Sequence, residues 1–347
     1  MRERLVRHWR FWIGLAISLF FLWWAVKQVS DFQHVLSTLR QADYAFVIPA
    51  LLAYFVGVWL RSVRWKYLLG RLKPIPTSRL FPVVVIGYMA NDVLPARMGE
   101  LVRVHVLAER EGIPRTASFA TVLIERAFDG VAVLLFMAVI SMFVPFEQNL
   151  EQVFRWAGAL FSAALVVFFA LSLASGPFLA AVKLMSRLLP RRRREGALAL
   201  ITSFMEGTKV MLHGRSLLYV VGYSIAAWLC ESAVYVLLGM GFSLRQPPLP
   251  LYVYVLNTAV VNLGTMVPSS PGYVGTFEAL SMFVLSLFKA NPNAALAYTG
   301  VLHLVLLVPV TLLGFFYLWR HHLSLGSLRQ LPSTSKAAHD SVEASAG

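Results

Sequence analysis

Of 347 residues, 58% are hydrophobic and 14% are Asp, Glu, Lys or Arg, where a soluble domain averages about 25% charged. Apolar runs long enough to span a bilayer recur along the chain, which excludes a soluble globular domain and points to an all-α polytopic membrane helix bundle. The net charge of +14 reads as Lys and Arg gathered in cytoplasmic loops, not as a nucleic-acid face, since no basic soluble domain is present.

The chain opens on "MRERLVRHWRFWIGLAISLFFLWWAV", a basic start followed by an apolar run, as in a signal peptide. Trp23 and Trp24 close that run without a small-residue cleavage site, so a retained first helix over 10–26 fits better. Further full spans are expected at 44–60, 118–144, 155–175, 216–240 and 295–319. Two apolar regions, 78–117 and 251–289, are broken by Pro and Gly and do not read as one helix each. The tail 323–347 is small and polar and reads as disordered and cytoplasmic. The lone Cys230 lies in an apolar run, which leaves no intramolecular disulfide and fits a small core residue.

Loop charges orient the spans. Arg2, Arg4, Arg7 and Arg10 precede the first span. Arg61, Arg64, Lys66, Arg71, Lys73 and Arg79 follow the second. Lys183, Arg187, Arg191 to Arg194, Lys209 and Arg215 lie between the fourth and fifth. The other side carries only Lys27, Arg40, Arg155, Arg245 and Lys289, with Glu147 and Glu151 near them. This asymmetry puts both termini in the cytoplasm. Region 78–117 then starts and ends inside, and region 251–289 starts and ends outside. Each is a candidate re-entrant hairpin, or a pair of short spans with the same parity. Paired broken segments point to inverted halves, about 1–150 and 151–322, within one membrane domain 1–322, and to a transporter-like site at the midplane.

Charge at membrane depth is costly and marks candidate sites. In "NDVLPARMGELVRVHVL" (91–107), Pro95 and Gly99 break the chain, and a helix starting near Met98 puts Glu100 and Arg103 on one face with Arg97 close by. Arg suits phosphate because its planar fork donates paired hydrogen bonds; Arg snorkelling from a helix end to water is the alternative. In "LIERAFDGVAVLLF", Glu125 and Asp129 share a face with Arg126 between them. They can form an acid–base ladder, or an ion pair to the first cluster. In "MVPSSPGYVGTFEALSMF", Pro268, Pro271, Gly272 and Gly275 are breaks, and Ser269, Ser270 and Thr276 offer hydroxyls. Thr276 is expected to cap a short helix with Glu278 in its first turn, leaving a helix N-terminus for an anion or a plain capped turn. Asn262 precedes this break much as Asn91 precedes the first. Glu231 sits mid-span and can pair with an Arg or hold a proton. His105 and His303 stand isolated in the sequence.

No paired-His metal motif, Gly-rich nucleotide loop or nucleophile elbow appears, so no metal, cofactor or ATP-driven pump is expected.

Taken together, "LRSVRWKYLL" (60–69), "NDVLPARMGELVR" (91–103), "ERAFDG" (125–130) and "VPSSPGYVGTFEA" (267–279) resemble the flippase-like transmembrane domain of lysylphosphatidylglycerol synthases. The resemblance runs from the first span to about residue 320. It implies a helix bundle with re-entrant elements that moves or handles a polar lipid at the cytoplasmic membrane; stand-alone members include glycolipid- and hopanoid-associated ones. The matched positions are Arg64, Trp65, Asn91, Pro95, Arg97, Gly99, Glu100, Arg103, Glu125, Arg126, Asp129, Pro268, Pro271, Gly272, Gly275 and Glu278. The soluble aminoacyl-transferase domain of the bifunctional members is absent from this sequence, so lysyl transfer is not expected. The expected ligand is a phospholipid, polyprenyl-phosphate or glycolipid, translocated without ATP. The alternatives are a non-catalytic membrane partner of a lipid or glycolipid synthesis complex, and a membrane transferase with Glu100, Glu125 or Asp129 as base. Oligomeric state stays open.

Overall fold

The computed structural model describes residues 16, 18–29, 31–70, 72–94, 98–142, 159, 163, 215–265 and 270–321. The expected span 155–175, the basic loop after it, the tail, and the positions Pro95, Arg97, Pro268 and Ser269 lie outside the described residues, apart from 159 and 163.

Every regular element among them is helical. They are α1 (Ser18–Lys27), α2 (Phe32–Gln41), α3 (Val47–Leu69), α4 (Thr77–Val93), α5 (Gly99–Glu111), α6 (Arg115–Ser141), α7 (Arg215–Met240), α8 (Leu251–Gly264), α9 (Thr276–Leu287) and α10 (Pro292–Arg320). A single 3₁₀ turn, Tyr44–Phe46, leads into α3, and another, Pro271–Tyr273, precedes α9.

By length and composition, three described segments are apolar enough to cross a membrane: Tyr44–Leu69, Ser216–Met240 and Pro292–Arg320. Helix α6 is 27 residues long, but Glu125, Arg126 and Asp129 sit in its middle. The broken regions are helix pairs: α4 packs on α5, and α8 packs on α9.

The helices repeat in order and size. A long helix (α3, 23 residues), two shorter ones (α4 and α5, 17 and 13) and a long one (α6, 27) are followed by the same series in α7, α8, α9 and α10, with 26, 14, 12 and 29. The packing repeats too. Helix α3 touches α4 and α6, as α7 touches α8 and α10; α5 packs on α6, as α9 packs on α10. The most extensive contacts tie the series together, α3 against α7 and α4 against α10.

Two sequence expectations need correcting. The helix expected to end at 60 continues to Leu69, so Arg61 and Arg64 are buried helix residues and not loop charges. Arg61 and Arg64 lower local hydropathy, but buried acids compensate them and the backbone stays helical. The loop expected over 27–43 contains α2, started by Asp31, whose Oδ1 accepts from the Gln33 N–H at 2.8 Å.

Close approach shapes the first helix pair. A Cβ on Gly99 would strike the Gly87 carbonyl oxygen, and one on Gly87 would strike the Arg103 stem. These two glycines let α4 and α5 pack nearly backbone to backbone, with Arg103 threaded past α4.

Candidate functional site

Arg64 on α3 is fully buried. Its Nη1 lies 2.6 Å from Asp129 Oδ1 and donates to Ser224 Oγ on α7 at 2.9 Å, while its Nη2 lies 3.1 Å from Glu125 Oε1. Glu125 and Asp129 are four residues apart on α6 and therefore share a face. Asp129 Oδ1 also accepts from Trp228 Nε1 at 3.2 Å. One guanidinium thus joins α3, α6 and α7.

Arg103, on α5, grips Glu125 with a fork: Nη1 to Oε1 at 3.1 Å and Nη2 to Oε2 at 3.0 Å. Its guanidinium carbon sits 4.2 Å from the Trp65 ring centroid, a cation–π contact in a buried setting. Trp65 Nε1 in turn donates to Thr121 Oγ1 at 3.0 Å. Asn91 secures the start of α5, its Oδ1 accepting from the Gly99 N–H at 2.8 Å. That amide is one of the first four of a helix, which have no partner inside the helix.

Arg126 is the third guanidinium of the network. Its Nη2 lies 3.1 Å from Glu125 Oε1 and 3.3 Å from Asp129 Oδ2. Within this network three guanidiniums face two carboxylates, which leaves one positive charge in excess. Arg64 and Arg103 are sealed, but the Arg126 side chain keeps 28% of its exposure, and its Nε has no hydrogen-bond partner among the described residues. The excess charge therefore emerges at Arg126.

It emerges into a cavity of about 170 Å³, a space that holds several waters. Both helix series line it. Tyr54 and Arg61 come from α3, Tyr88, Asn91 and Asp92 from α4, Trp228, Glu231 and Tyr235 from α7, and Asn262 from α8. Arg61 is paired with Glu231 at 3.0 Å, so this second basic group adds no net charge. The buried hydroxyl of Tyr235 has no hydrogen-bond partner among the described residues.

Another part of the wall belongs to the second break. His303 on α10 lies with Nδ1 2.6 Å from Glu278 Oε1 and Nε2 2.8 Å from the Gly272 carbonyl oxygen. Glu278 Oε2 accepts from the Gly275 N–H at 2.6 Å. Asp92 Oδ2 accepts from Thr311 Oγ1 at 2.7 Å, joining the end of α4 to α10.

Several expected site residues meet here. Arg64, Arg103, Glu125, Arg126 and Asp129 form one network, and Asn91 and Asn262 line the cavity beside it. Glu100 stands half-buried in the first turn of α5 and forms no ion pair among the described residues. Ser270 is used by its own turn: its N–H donates to Ser18 Oγ at 3.0 Å and its hydroxyl to the Val274 carbonyl at 3.1 Å. Thr276 is not the cap of α9. Gly275 holds that position at φ +88°, a conformation that penalises any Cβ, and Thr276 Oγ1 has no hydrogen-bond partner among the described residues. At the N-terminus of α9 the Gly275 amide is already taken by the Glu278 carboxylate.

Residues missed as site residues are Arg61, Asp92, Tyr88, Trp228, Tyr235 and His303. Asp92 and Trp228 lie one and three residues from positions that were singled out, which is the only signal the sequence offered for them. Among the described residues, no group of three or more His, Cys, Asp or Glu is placed to hold a metal.

Comparison with known proteins adds the following. The family described as lysylphosphatidylglycerol synthase TM region matches residues 11–314. The chain is 27% identical over 334 residues to the glycosyltransferase AglD of Haloferax volcanii, covering 88% of this chain and 53% of that protein, so it spans about half of that relative's length. It is 24% identical over 296 residues to a UPF0104 membrane protein of Methanothermobacter thermautotrophicus, covering 80% and 85% of the two chains. It is also 24% identical over 316 residues to a UPF0104 membrane protein of Methanocaldococcus jannaschii, covering 87% and 92%.

Proposed function

The chain belongs to the lysylphosphatidylglycerol synthase TM region family, and from that premise we propose that its cavity binds the phosphate-bearing head group of a polar lipid and passes it across the cytoplasmic membrane without ATP. The observation that carries this reading is the Arg126 guanidinium, held at the cavity wall by Glu125 and Asp129 and more exposed than the sealed Arg64 and Arg103 behind it. A phosphodiester carries one negative charge and offers oxygens in the plane that a guanidinium fork recognises. The buried network behind Arg126 holds it in place, so little side-chain entropy is lost on binding.

The short helices support the transport part of the reading. Helices α5, α8 and α9 have 13, 14 and 12 residues and run about 18–21 Å, less than the ~30 Å hydrocarbon core. We read α4–α5 and α8–α9 as re-entrant pairs of two inverted halves, which meet at the cavity. Broken backbone at membrane depth is tolerated where it lines a polar cavity.

A membrane transferase is less well supported. Of its three candidate bases, Glu125 and Asp129 are each held by at least two arginines and are not free to act, which leaves that reading to Glu100 alone. The similarity to a protein named as a glycosyltransferase goes with a second reading, a non-catalytic membrane partner of a lipid or glycolipid synthesis complex; the head-group cavity serves that role equally if the lipid is held and not moved.

The test is translocation of a fluorescent phosphatidylglycerol in proteoliposomes, read by dithionite quenching. The expected result is accelerated exchange with the wild-type chain and a loss of at least roughly tenfold in Arg126→Gln, the effect of one lost charge-assisted contact. Equal rates in the two proteins overturn the assignment. Head-group binding without exchange selects the partner reading.

A further inference from the structure

His303 is buried on α10 and stacks on Phe277, with ring centroids 4.3 Å apart and planes at 17°. Its Nε2 faces the Gly272 carbonyl oxygen, which only accepts, so Nε2 carries a hydrogen whenever that bond is made. The 2.6 Å contact between Nδ1 and Glu278 Oε1 then needs a second hydrogen. Either an imidazolium faces a carboxylate, or a neutral ring accepts from a carboxylic acid. Both forms are neutral as a pair. Loss of the shared proton leaves a nitrogen lone pair against either the Glu278 carboxylate or the Gly272 carbonyl oxygen and gives the pair a charge of minus one.

Glu278 cannot simply turn away, because its Oε2 caps α9 through the Gly275 N–H. The same pair therefore holds both positive-φ glycines of the second break, Gly272 and Gly275. The other titratable and charged groups of the cavity are Tyr54 and Arg61 from α3, Tyr88 and Asp92 from α4, Arg126 and Asp129 from α6, Glu231 and Tyr235 from α7, and Tyr273 from the turn. Helix α1 contributes the Ser18 hydroxyl, which accepts from the Ser270 N–H. Whatever charge Asp92 carries, a proton on the Glu278–His303 pair makes the cavity more positive by one unit.

We propose that the Glu278–His303 pair is the proton site of this protein, and that an anionic head group and a proton enter the cavity together. The inference rests on the head-group reading above and adds the co-substrate to it. With the proton present, the excess charge at Arg126 is available to the anion and the break is latched. With it absent, the new negative charge opposes the anion, and the one hydrogen left on the ring cannot serve both Glu278 and the Gly272 carbonyl, so one of the two contacts that hold the break is lost. Head-group binding draws one proton from the water on the side to which the cavity opens, and release returns it.

The purified full chain in phosphatidylcholine nanodiscs is titrated with short-chain phosphatidylglycerol between about pH 5 and about pH 8, the range in which imidazole titrates. The phosphodiester keeps a single charge throughout, so any pH dependence belongs to the protein. Affinity is expected to fall as pH rises, by up to about tenfold per unit, the limit for one linked proton. His303→Gln and Glu278→Gln are expected to flatten that slope. An indicator dye in weak buffer is expected to report uptake of up to one proton per bound head group by the wild-type chain, a readout that needs no variant to fold. Binding without pH dependence or proton uptake overturns the proposal and leaves the head-group reading standing. A slope that persists in both folded variants assigns the proton elsewhere, to Asp92 first, and also overturns it. No binding at any pH overturns the head-group reading and the linkage with it.

Discussion

Arg103 and Glu125 form a two-pronged ion pair, Nη1 to Oε1 and Nη2 to Oε2, at 3.1 and 3.0 Å. They lie on different helices of the first series, and both are at most 2% exposed. Glu125 also faces Arg64 and Arg126, so one carboxylate compensates three guanidiniums in part.

Removing that carboxylate charge leaves buried guanidiniums uncompensated. Glu125→Gln is expected to destabilise the fold by roughly 3–5 kcal/mol, the range for breaking a buried pair from one side. Thermal unfolding in detergent, followed by Trp fluorescence, measures it. A transition at the wild-type temperature would contradict the network described above.

Arg126→Lys separates charge from shape. Lysine keeps the positive charge but loses the planar fork that meets both Glu125 and Asp129. Folding is expected to be retained, because Arg64 and Arg103 still compensate the acids. Head-group affinity is expected to fall by about tenfold, one lost charge-assisted contact. Titration with short-chain phosphatidylglycerol distinguishes this from Arg126→Gln, for which a larger loss is expected.

Tyr235→Phe removes a hydroxyl that has no hydrogen-bond partner among the described residues. A purely structural hydroxyl would cost stability when lost; an orphaned one does not. Stability is expected to stay within about 0.5 kcal/mol of wild type or to rise, while head-group affinity drops a few-fold, since a typical hydrogen bond contributes about 1 kcal/mol. Calorimetry and lipid titration on the same preparation read both quantities.

Gly99→Ala is expected to cost about 1–3 kcal/mol, as overpacking does, because the added carbon meets the Gly87 carbonyl oxygen. Gly300→Ala is the matched control. That position is helical with open space around it, so alanine is expected to be neutral or stabilising by up to about 1 kcal/mol. Folded yield and melting temperature of the two variants provide the comparison.

The helix breaks were legible because backbone conformation is a local property. Gly275 at φ +88° and Gly272 at φ +67° answer to the chain near them, and the sequence marks both. Glu125, Arg126 and Asp129 were legible because charge stands out in an apolar helix. Arg61 and Arg64 were misread as loop residues, since hydropathy falls at Arg61 whether or not the helix ends there. Thr276 was misread as a cap because its hydroxyl suits that role, while the turn needed a glycine there.

His303 illustrates the rest. Nothing near it in the chain reveals that Glu278, 25 residues away, shares a proton with it. Asp92 and Thr311 are separated by 219 positions and meet at 2.7 Å. By itself, the sequence determined the helical membrane class, the positions of the breaks and which charges sit among apolar residues, because each follows from hydropathy and backbone preference over a few turns. Only the tertiary structure decided which charges cancel, which one faces the cavity and which histidine holds the second break. Those outcomes depend on angstrom-scale distances between helices far apart in the chain, and local preference does not encode such distances.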